Sequence, residues 1–290
     1  MRAFLFPGQG SQKVGMDAGL ARTRFEEADA ALGFSLSKIV AEGPDAELTR
    51  TENTQPAILT VSVAYADMLK ARGVEAQIAA GHSLGEYSAL VATGALRFAD
   101  AVRLVHLRGK FMQEAVPAGV GAMAAILGLA ADEVAAACRE AAGAEVVSAA
   151  NLNGGGQVVI AGHKAAVERA MALSKQKGAK LVKALAVSAP FHSALMAPAA
   201  EKLQVELERI KVSAPTIPVV ANVTAEPNQD VARIKELLTR QVTGSVLWEQ
   251  SVQKLVALGV DEAFEVGPGN VLSGLMKRSA PGVKMGSLNG

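Results

Sequence analysis

Ser83 lies between two glycines in Gly81-His82-Ser83-Leu84-Gly85, which fits the pattern G-x-S-x-G. A serine hydroxyl attacks a carbonyl carbon only when a base removes its proton and donors meet the charge growing on the carbonyl oxygen. The pattern serves both needs when a strand runs into it and a helix leaves it. The turn is then so tight that the residues two positions either side of the serine must be small. Oγ is pushed outward, and the N–H of the next residue, here Leu84, joins the helix N-terminus in facing the oxyanion. Residues 77–80 read as that strand, and residues 86–93 as that helix, which Gly94 can cap. A chance glycine-rich turn is the competing reading, because short patterns of this kind recur in glycine-rich chains.

The base must be sought among four histidines. His82 adjoins the serine, so its side chain leaves the backbone in another direction. His106 falls on the polar side of a helix, and His163 starts a helix in a small inserted unit. His192, in Ser188-Ala189-Pro190-Phe191-His192, stands where the chain returns from that unit, and a junction of this kind is a common place for a cleft. A loop histidine satisfied by backbone is the alternative, and His163 is the second candidate base.

A third chemical group sits on the helix at 101–115. Its apolar stripe includes Leu104, Val105, Phe111 and Met112, and at about 100° per residue Arg108 falls in the middle of that stripe. Arg103, His106, Lys110 and Gln113 lie opposite. A guanidinium facing a core is costly unless it meets an anion. Three readings stand: a snorkelling arginine, a structural ion pair, or a receptor for a substrate carboxylate, which the planar guanidinium fork binds with two parallel hydrogen bonds.

The elements that position these groups follow an α/β pattern. Residues 4–6 read as a strand stopped by Pro7, and Pro7 to Gln12 as a tight loop. A helix is expected from Gln55 to Lys70 with Pro56 in its first turn. From Met123 onward the order is strand 123–129, helix 132–142, strand 145–149, turn 151–156, strand 157–161, helix 164–177 and strand 180–187. That β-α-β-β-α-β order is the ferredoxin-like unit. The later chain reads as helix 198–210, strand 218–222, helices 230–241 and 248–257, and strand 263–266. The expected fold is therefore a mostly parallel α/β domain, residues 1–117 and 189–290, with a small ferredoxin-like subdomain, 118–188, inserted.

Composition narrows the function classes. The net charge is only +1, so nothing global points to nucleic acid or an anionic membrane. The lone cysteine, Cys138, permits no internal disulfide and no cysteine-based zinc site; a buried thiol is the reading preferred for it. The apolar run near the N-terminus is too short for a signal peptide, and none is long enough to span a bilayer, which suggests a cytoplasmic protein. Gly8-Gln9-Gly10, Gly154-Gly155-Gly156 and Gly267-Pro268-Gly269 do not complete G-x-G-x-x-G or lead into G-K-[ST], so a nucleotide loop is rejected.

Five motifs in order carry a resemblance. Phe6-Pro7-Gly8-Gln9-Gly10-Ser11-Gln12, Gly81-His82-Ser83-Leu84-Gly85-Glu86, Leu107-Arg108-Gly109-Lys110, Pro190-Phe191-His192-Ser193 and Gly267-Pro268-Gly269 resemble those of the malonyl-CoA:acyl carrier protein transacylases of bacterial fatty acid synthesis, and the likeness spans essentially the whole chain. The resemblance implies a hydrolase-like core with a ferredoxin-like insert. It implies that Ser83 carries the malonyl group as an ester and that His192 is its base. The N–H groups of Gln9 and Leu84 would form the oxyanion hole, and Arg108 would bind the malonyl carboxylate. A main-chain carbonyl, matched here to Gln241, would orient His192. Phe191 is similar to the residue found in malonyl-preferring relatives. No cofactor is implied beyond the phosphopantetheine that the carrier protein brings.

An acidic carrier protein would be drawn to a basic face. Residues 163–183 hold Lys164, Arg169, Lys175, Lys177, Lys180 and Lys183 against Glu168 alone, which makes this stretch the expected docking region. An ordinary solvated helix face is the plainer reading. Two other functions remain in view: a serine esterase or thioesterase, which expects an acid behind the histidine and no need for Arg108, and a non-catalytic acyl-binding protein, which expects no adduct on Ser83.

Overall fold

Strands covered on both faces need short, continuously apolar runs, and Phe4-Leu5-Phe6 and Ile78-Ala79-Ala80 supply them. The computed structural model describes residues 1–16, 19–187 and 189–286. Ser188, at the expected end of the small unit, lies outside the described residues. The elements are β1 (Arg2–Phe6), α1 (Arg22–Leu32), α2 (Leu36–Glu42), α3 (Asp45–Thr49), α4 (Thr51–Ala71), β2 (Ile78–Gly81), α5 (Leu84–Ala92), α6 (Phe98–Glu114), β3 (Gly121–Leu127), α7 (Ala131–Ala142), β4 (Val147–Gly154), β5 (Gln157–His163), α8 (Lys164–Gln176), β6 (Leu181–Ala184), α9 (Ala197–Arg209), β7 (Val219–Val220), β8 (Pro227–Asn228), α10 (Val231–Thr243), α11 (Trp248–Ala257), β9 (Glu262–Glu265), α12 (Val271–Ser279) and β10 (Lys284–Gly286).

Six strands form one sheet in the order β10-β9-β1-β2-β7-β8, parallel throughout except for the β7–β8 pair. Its central strands are buried on both faces, so the carboxyl ends of β1 and β2 open onto loops held by a rigid floor. A second, antiparallel sheet runs β4-β5-β3-β6, the strand order of a ferredoxin-like unit, with α7 and α8 packed over its own apolar cluster. Cys138 is buried in that cluster, and burial pushes its thiol up to about 11. β4 also pairs with the segment between α10 and α11: Leu152 N–H donates to Val246 O at 2.9 Å, and Val246 N–H to Ala150 O at 2.8 Å.

Several expected boundaries shift. The three helices α1 to α3 fall in a stretch, residues 13–54, for which the sequence pattern predicts no element, and β8 and β10 are likewise additional to the expected strands. The segment expected as a turn at 151–156 is strand as far as Gly154; the reversal is confined to Gly154-Gly155-Gly156, all with positive φ. The expected strand 180–187 is shorter, at Leu181–Ala184.

The largest correction concerns α4, which begins at Thr51, so Pro56 lies inside it. A proline there leaves the Glu52 carbonyl without its helical donor. His106 of α6 supplies the substitute, with Nδ1 2.9 Å from Glu52 O. His106 therefore faces α4, half-buried, where the sequence placed it on the polar side. One turn on, Gly109 lets the helices touch: a Cβ there would stand 2.6 Å from Thr51 O and 2.7 Å from Glu52 Cα. Backbone cannot yield as a side-chain tip can, so Gly109→Ala should wedge α4 from α6 and destabilise the fold by about 1–3 kcal/mol. Urea unfolding at unchanged m-value checks this, and a shift under about 0.5 kcal/mol would mean the contact is slack.

Candidate active site

The elbow after β2 is built by close approach. A Cβ on Gly81 would lie 2.0 Å from the Gly85 carbonyl carbon, and one on Gly85 would lie 2.0 Å from Phe6 O. Between them Ser83 takes φ 52° and ψ −108°, a conformation that costs about 1–3 kcal/mol and persists only where its surroundings fix it. Asn222, just past β7, does much of this: its Oδ1 accepts the Ser83 N–H at 2.7 Å and its Nδ2 donates to Gly81 O at 2.6 Å.

His192, buried and itself at φ 58°, brings Nε2 to 2.7 Å from Ser83 Oγ. Its Nδ1 lies 2.8 Å from Gln241 O. A carbonyl only accepts, so Nδ1 carries the proton and the Nε2 lone pair faces the serine hydroxyl. Gln241 O is available because it falls in the last turn of α10, where carbonyls lose their helical donors. Burial, together with the nearby Arg108 charge, pushes the His192 imidazole down to about 3. Among the described residues no acid stands behind this histidine, unlike the arrangement an esterase of the hydrolase type leads one to expect. His163, the second candidate, is elsewhere: its Nδ1 accepts the Val146 N–H at 2.9 Å in the small sheet. His82 reaches across instead, Nε2 lying 2.8 Å from Asn153 Oδ1 of β4.

Arg108 is 1% exposed, which excludes snorkelling. Its Nη1 donates to Gln55 Oε1 at 2.7 Å, and its Nη2 donates to Gln241 Oε1 at 2.9 Å and to Ser83 Oγ at 3.2 Å. Among the described residues no carboxylate forms an ion pair with it. Its Nε has no hydrogen-bond partner there either. Burial draws the guanidinium below its ordinary value, but an arginine stays charged. A buried cation held by neutral amide oxygens beside the Ser83 hydroxyl has the chemistry to take an anion as a further partner.

Gln9, Ser83, Leu84, Arg108, Phe191 and His192 line one cavity of about 660 Å³ between the two sheets. The Gln9 and Leu84 N–H groups form no hydrogen bond within the chain among the described residues, and Gln9 is steadied through its side chain, Nε2 to Thr51 Oγ1 at 3.2 Å. Gln241 does more than its carbonyl suggests, because its buried side chain joins Arg108 to the elbow: Nε2 donates to Ser83 O at 3.0 Å. Gln55, Glu86, Asn153 and Asn222 were not singled out from the sequence. The available signal was a polar residue ending an apolar run, as in Val219-Val220-Ala221-Asn222. Among the described residues no group of three or more His, Cys, Asp or Glu is placed to hold a metal ion, and no helix is long and apolar enough to cross a membrane.

A strained serine elbow, a histidine on a main-chain carbonyl and, among the described residues, two N–H donors without an acceptor are the groups that acyl transfer requires. The chain belongs to the acyl transferase family: the description "Acyl transferase domain" matches residues 3–282. It is 53% identical over 294 residues to the malonyl CoA-acyl carrier protein transacylase of Salmonella typhimurium, covering 99% of this chain and 95% of that protein. The malonyl CoA-acyl carrier protein transacylase of Coxiella burnetii superposes with a TM-score of 0.96 at 42% identity, covering 98% of this chain and 92% of that one. A malonyl-transacylase solved in complex with a type II PKS acyl-carrier protein superposes equally well, TM-score 0.96 at 47% identity, over 98% of this chain and 94% of that one.

Proposed function

We propose that the protein transfers malonyl groups from malonyl-CoA to the phosphopantetheine thiol of acyl carrier protein, by a ping-pong cycle through a malonyl ester on Ser83, and so supplies fatty acid synthesis. The observation that carries this reading is Arg108, a buried cation with no carboxylate in ion-pair contact among the described residues and 3.2 Å from Ser83 Oγ. The names of the relatives agree with it.

His192 Nε2 takes the Ser83 proton as Oγ attacks the thioester carbonyl. The oxyanion rests on the N–H groups of Gln9 and Leu84. Collapse breaks the carbon–sulfur bond, and the proton on His192 passes to the departing thiolate, so coenzyme A leaves as the free thiol. The carrier thiol then enters, gives its proton to His192, and the same steps run in reverse. Gln241 O holds the imidazole throughout, and Arg108 pairs with the free carboxylate of the acyl group. The cycle needs no resident cofactor, and a cytoplasmic setting suits it. The division into a large unit, 1–117 with 189–290, and a small one, 118–188, belongs to the same reading, supported by two separate sheets with the cavity between them. The direct test is the mass of the carrier: holo acyl carrier protein should gain one malonyl unit when mixed with enzyme and malonyl-CoA. Release of coenzyme A without that gain would point to hydrolysis.

The base must be neutral to act, so activity falls as pH drops through the His192 value. With that value at about 3, kcat/KM for malonyl-CoA should stay level well below pH 6.5, the ordinary histidine value. Pairing of the malonyl carboxylate with Arg108 removes one cause of the depression, so the acid limb of kcat should lie at higher pH than that of kcat/KM. Coincident limbs near pH 6.5 would contradict this.

The expected docking region on the small unit is only partly free of internal ion pairs. Arg169 is paired with Glu145 at 2.7 Å and Lys177 with Glu140 at 3.3 Å, while Lys164, Lys175, Lys180 and Lys183 form no ion pair among the described residues. Reversing Lys175 and Lys180 to glutamate should raise KM for the carrier roughly tenfold at low salt and far less at high salt. Equal effects on malonyl-CoA would place the carrier elsewhere.

A further inference from the structure

Glu86 is a buried carboxyl for which the transfer steps above have no task. It sits in the first turn of α5, three residues after Ser83, and is 3% exposed. One oxygen, Oε2, accepts hydrogen bonds from two different walls of the site. The Asn222 main-chain N–H donates at 3.0 Å, and the Gln241 side-chain Nε2 donates at 2.7 Å.

Each donor fixes one half of the reacting pair. Asn222 spans the elbow, accepting the Ser83 N–H on Oδ1 and donating to Gly81 O from Nδ2. Gln241 holds His192 through its main-chain oxygen and braces Ser83 O through Nε2. Ser83 and His192 are both non-glycine residues at positive φ, and such conformations need surroundings that over-determine them. The serine and histidine come from elements far apart in the chain, and Glu86 Oε2 is where their supports meet.

We propose that Glu86 is a positioning residue, whose Oε2 locks Asn222 and Gln241 together and thereby sets the strained Ser83 elbow in register with His192. The function assigned to that oxygen is acceptance, not charge. Both bonds end on the same atom, so a glutamine that places its carbonyl oxygen there keeps both. Alanine removes the acceptor, so the buried Asn222 N–H loses its partner and Gln241 Nε2 keeps its bond to Ser83 O but loses the one that ties it to Asn222 through Glu86. The site fits a carboxyl that need not ionise: burial pushes Glu86 up to about 7, with the bonds from Asn222 and Gln241 and the charge of Arg108 opposing.

The inference rests on the Ser83–His192 reading, so the test separates the two. The rate constant for phosphonylation of Ser83 by a fluorophosphonate is measured on the full chain by intact mass, beside kcat and KM with malonyl-CoA. Absence of Ser83 labelling in the unaltered protein would sink the Ser83–His192 reading itself. With labelling established, Glu86→Ala should lower the labelling rate and kcat by about 10²-fold, the effect of a small misplacement of reacting groups. KM should move less than about threefold, and Glu86→Gln should restore the labelling rate to within about threefold. Asn222→Ala removes the acceptor of the Ser83 N–H without altering Glu86 and should show the same loss in kcat; it carries the test if Glu86→Ala does not fold. Unaltered labelling in Glu86→Ala or Asn222→Ala would overturn the assignment, as would a loss in Glu86→Gln as deep as that in Glu86→Ala.

Discussion

Ser83→Ala should form no malonyl ester and should transfer malonyl to the carrier at least about 10⁴-fold more slowly, and His192→Ala should fall nearly as far. The reason is geometric. Oγ and Nε2 are 2.7 Å apart, Gln241 O fixes the imidazole tautomer from behind, and no second histidine is placed to take over. Because the two groups act as one unit, the double variant should be little slower than Ser83→Ala alone. Initial rates with holo carrier protein check this. A double variant whose loss is the product of the single losses would mean that His192 acts independently of the serine. Neither change should unfold the protein: removing the serine hydroxyl leaves the elbow held by Asn222, which binds the Ser83 main chain, not its side chain.

Arg108→Ala should collapse the preference for malonyl over acetyl groups. A buried carboxylate left without its partner costs about 3–5 kcal/mol, or about 10²–10⁴-fold in kcat/KM for malonyl-CoA. Acetyl-CoA makes no such demand, and with the unpaired cation gone its kcat/KM should hold or rise. Arg108→Lys should recover little, because a point charge cannot reach Gln55, Gln241 and a carboxylate together as the guanidinium fork does. The ratio of the two substrates decides the matter. Arg108 also donates to Ser83 Oγ, so a general loss of reactivity would lower both substrates alike, and a ratio unchanged in Arg108→Ala would remove Arg108 from acid selection.

Much of this site is written in local patterns. The G-x-S-x-G elbow constrains itself, since its glycines are required by contacts within a few residues and with β1, and strand and helix could be read from their periods. Arg108 was visible because a cation in an apolar stripe breaks the pattern. The small sheet was legible because alternating strands and helices in that order admit few arrangements. Gln241 is different. Its carbonyl role came with the family likeness, and nothing in its helix distinguishes it from other polar residues; its side-chain contacts with Arg108 and Ser83 depend on where α10 lands. Asn222 and Glu86 are hidden for the same reason, as their partners are more than a hundred residues apart in sequence. Pro56 by its type reads as a helix opener; it lies inside α4, where the His106 side chain of a neighbouring helix meets the carbonyl that the proline leaves without a donor.

The central claim is that Ser83 carries the malonyl group while Arg108 holds its carboxylate. Intact mass after brief mixing with malonyl-CoA, without carrier protein, tests it most directly, with acetyl-CoA and Ser83→Ala alongside. The account predicts one malonyl unit on the protein, mapped to the peptide that holds Ser83, scarce with acetyl-CoA and absent from the alanine variant. Free coenzyme A accumulating with no adduct, or an adduct that survives in Ser83→Ala, would contradict it.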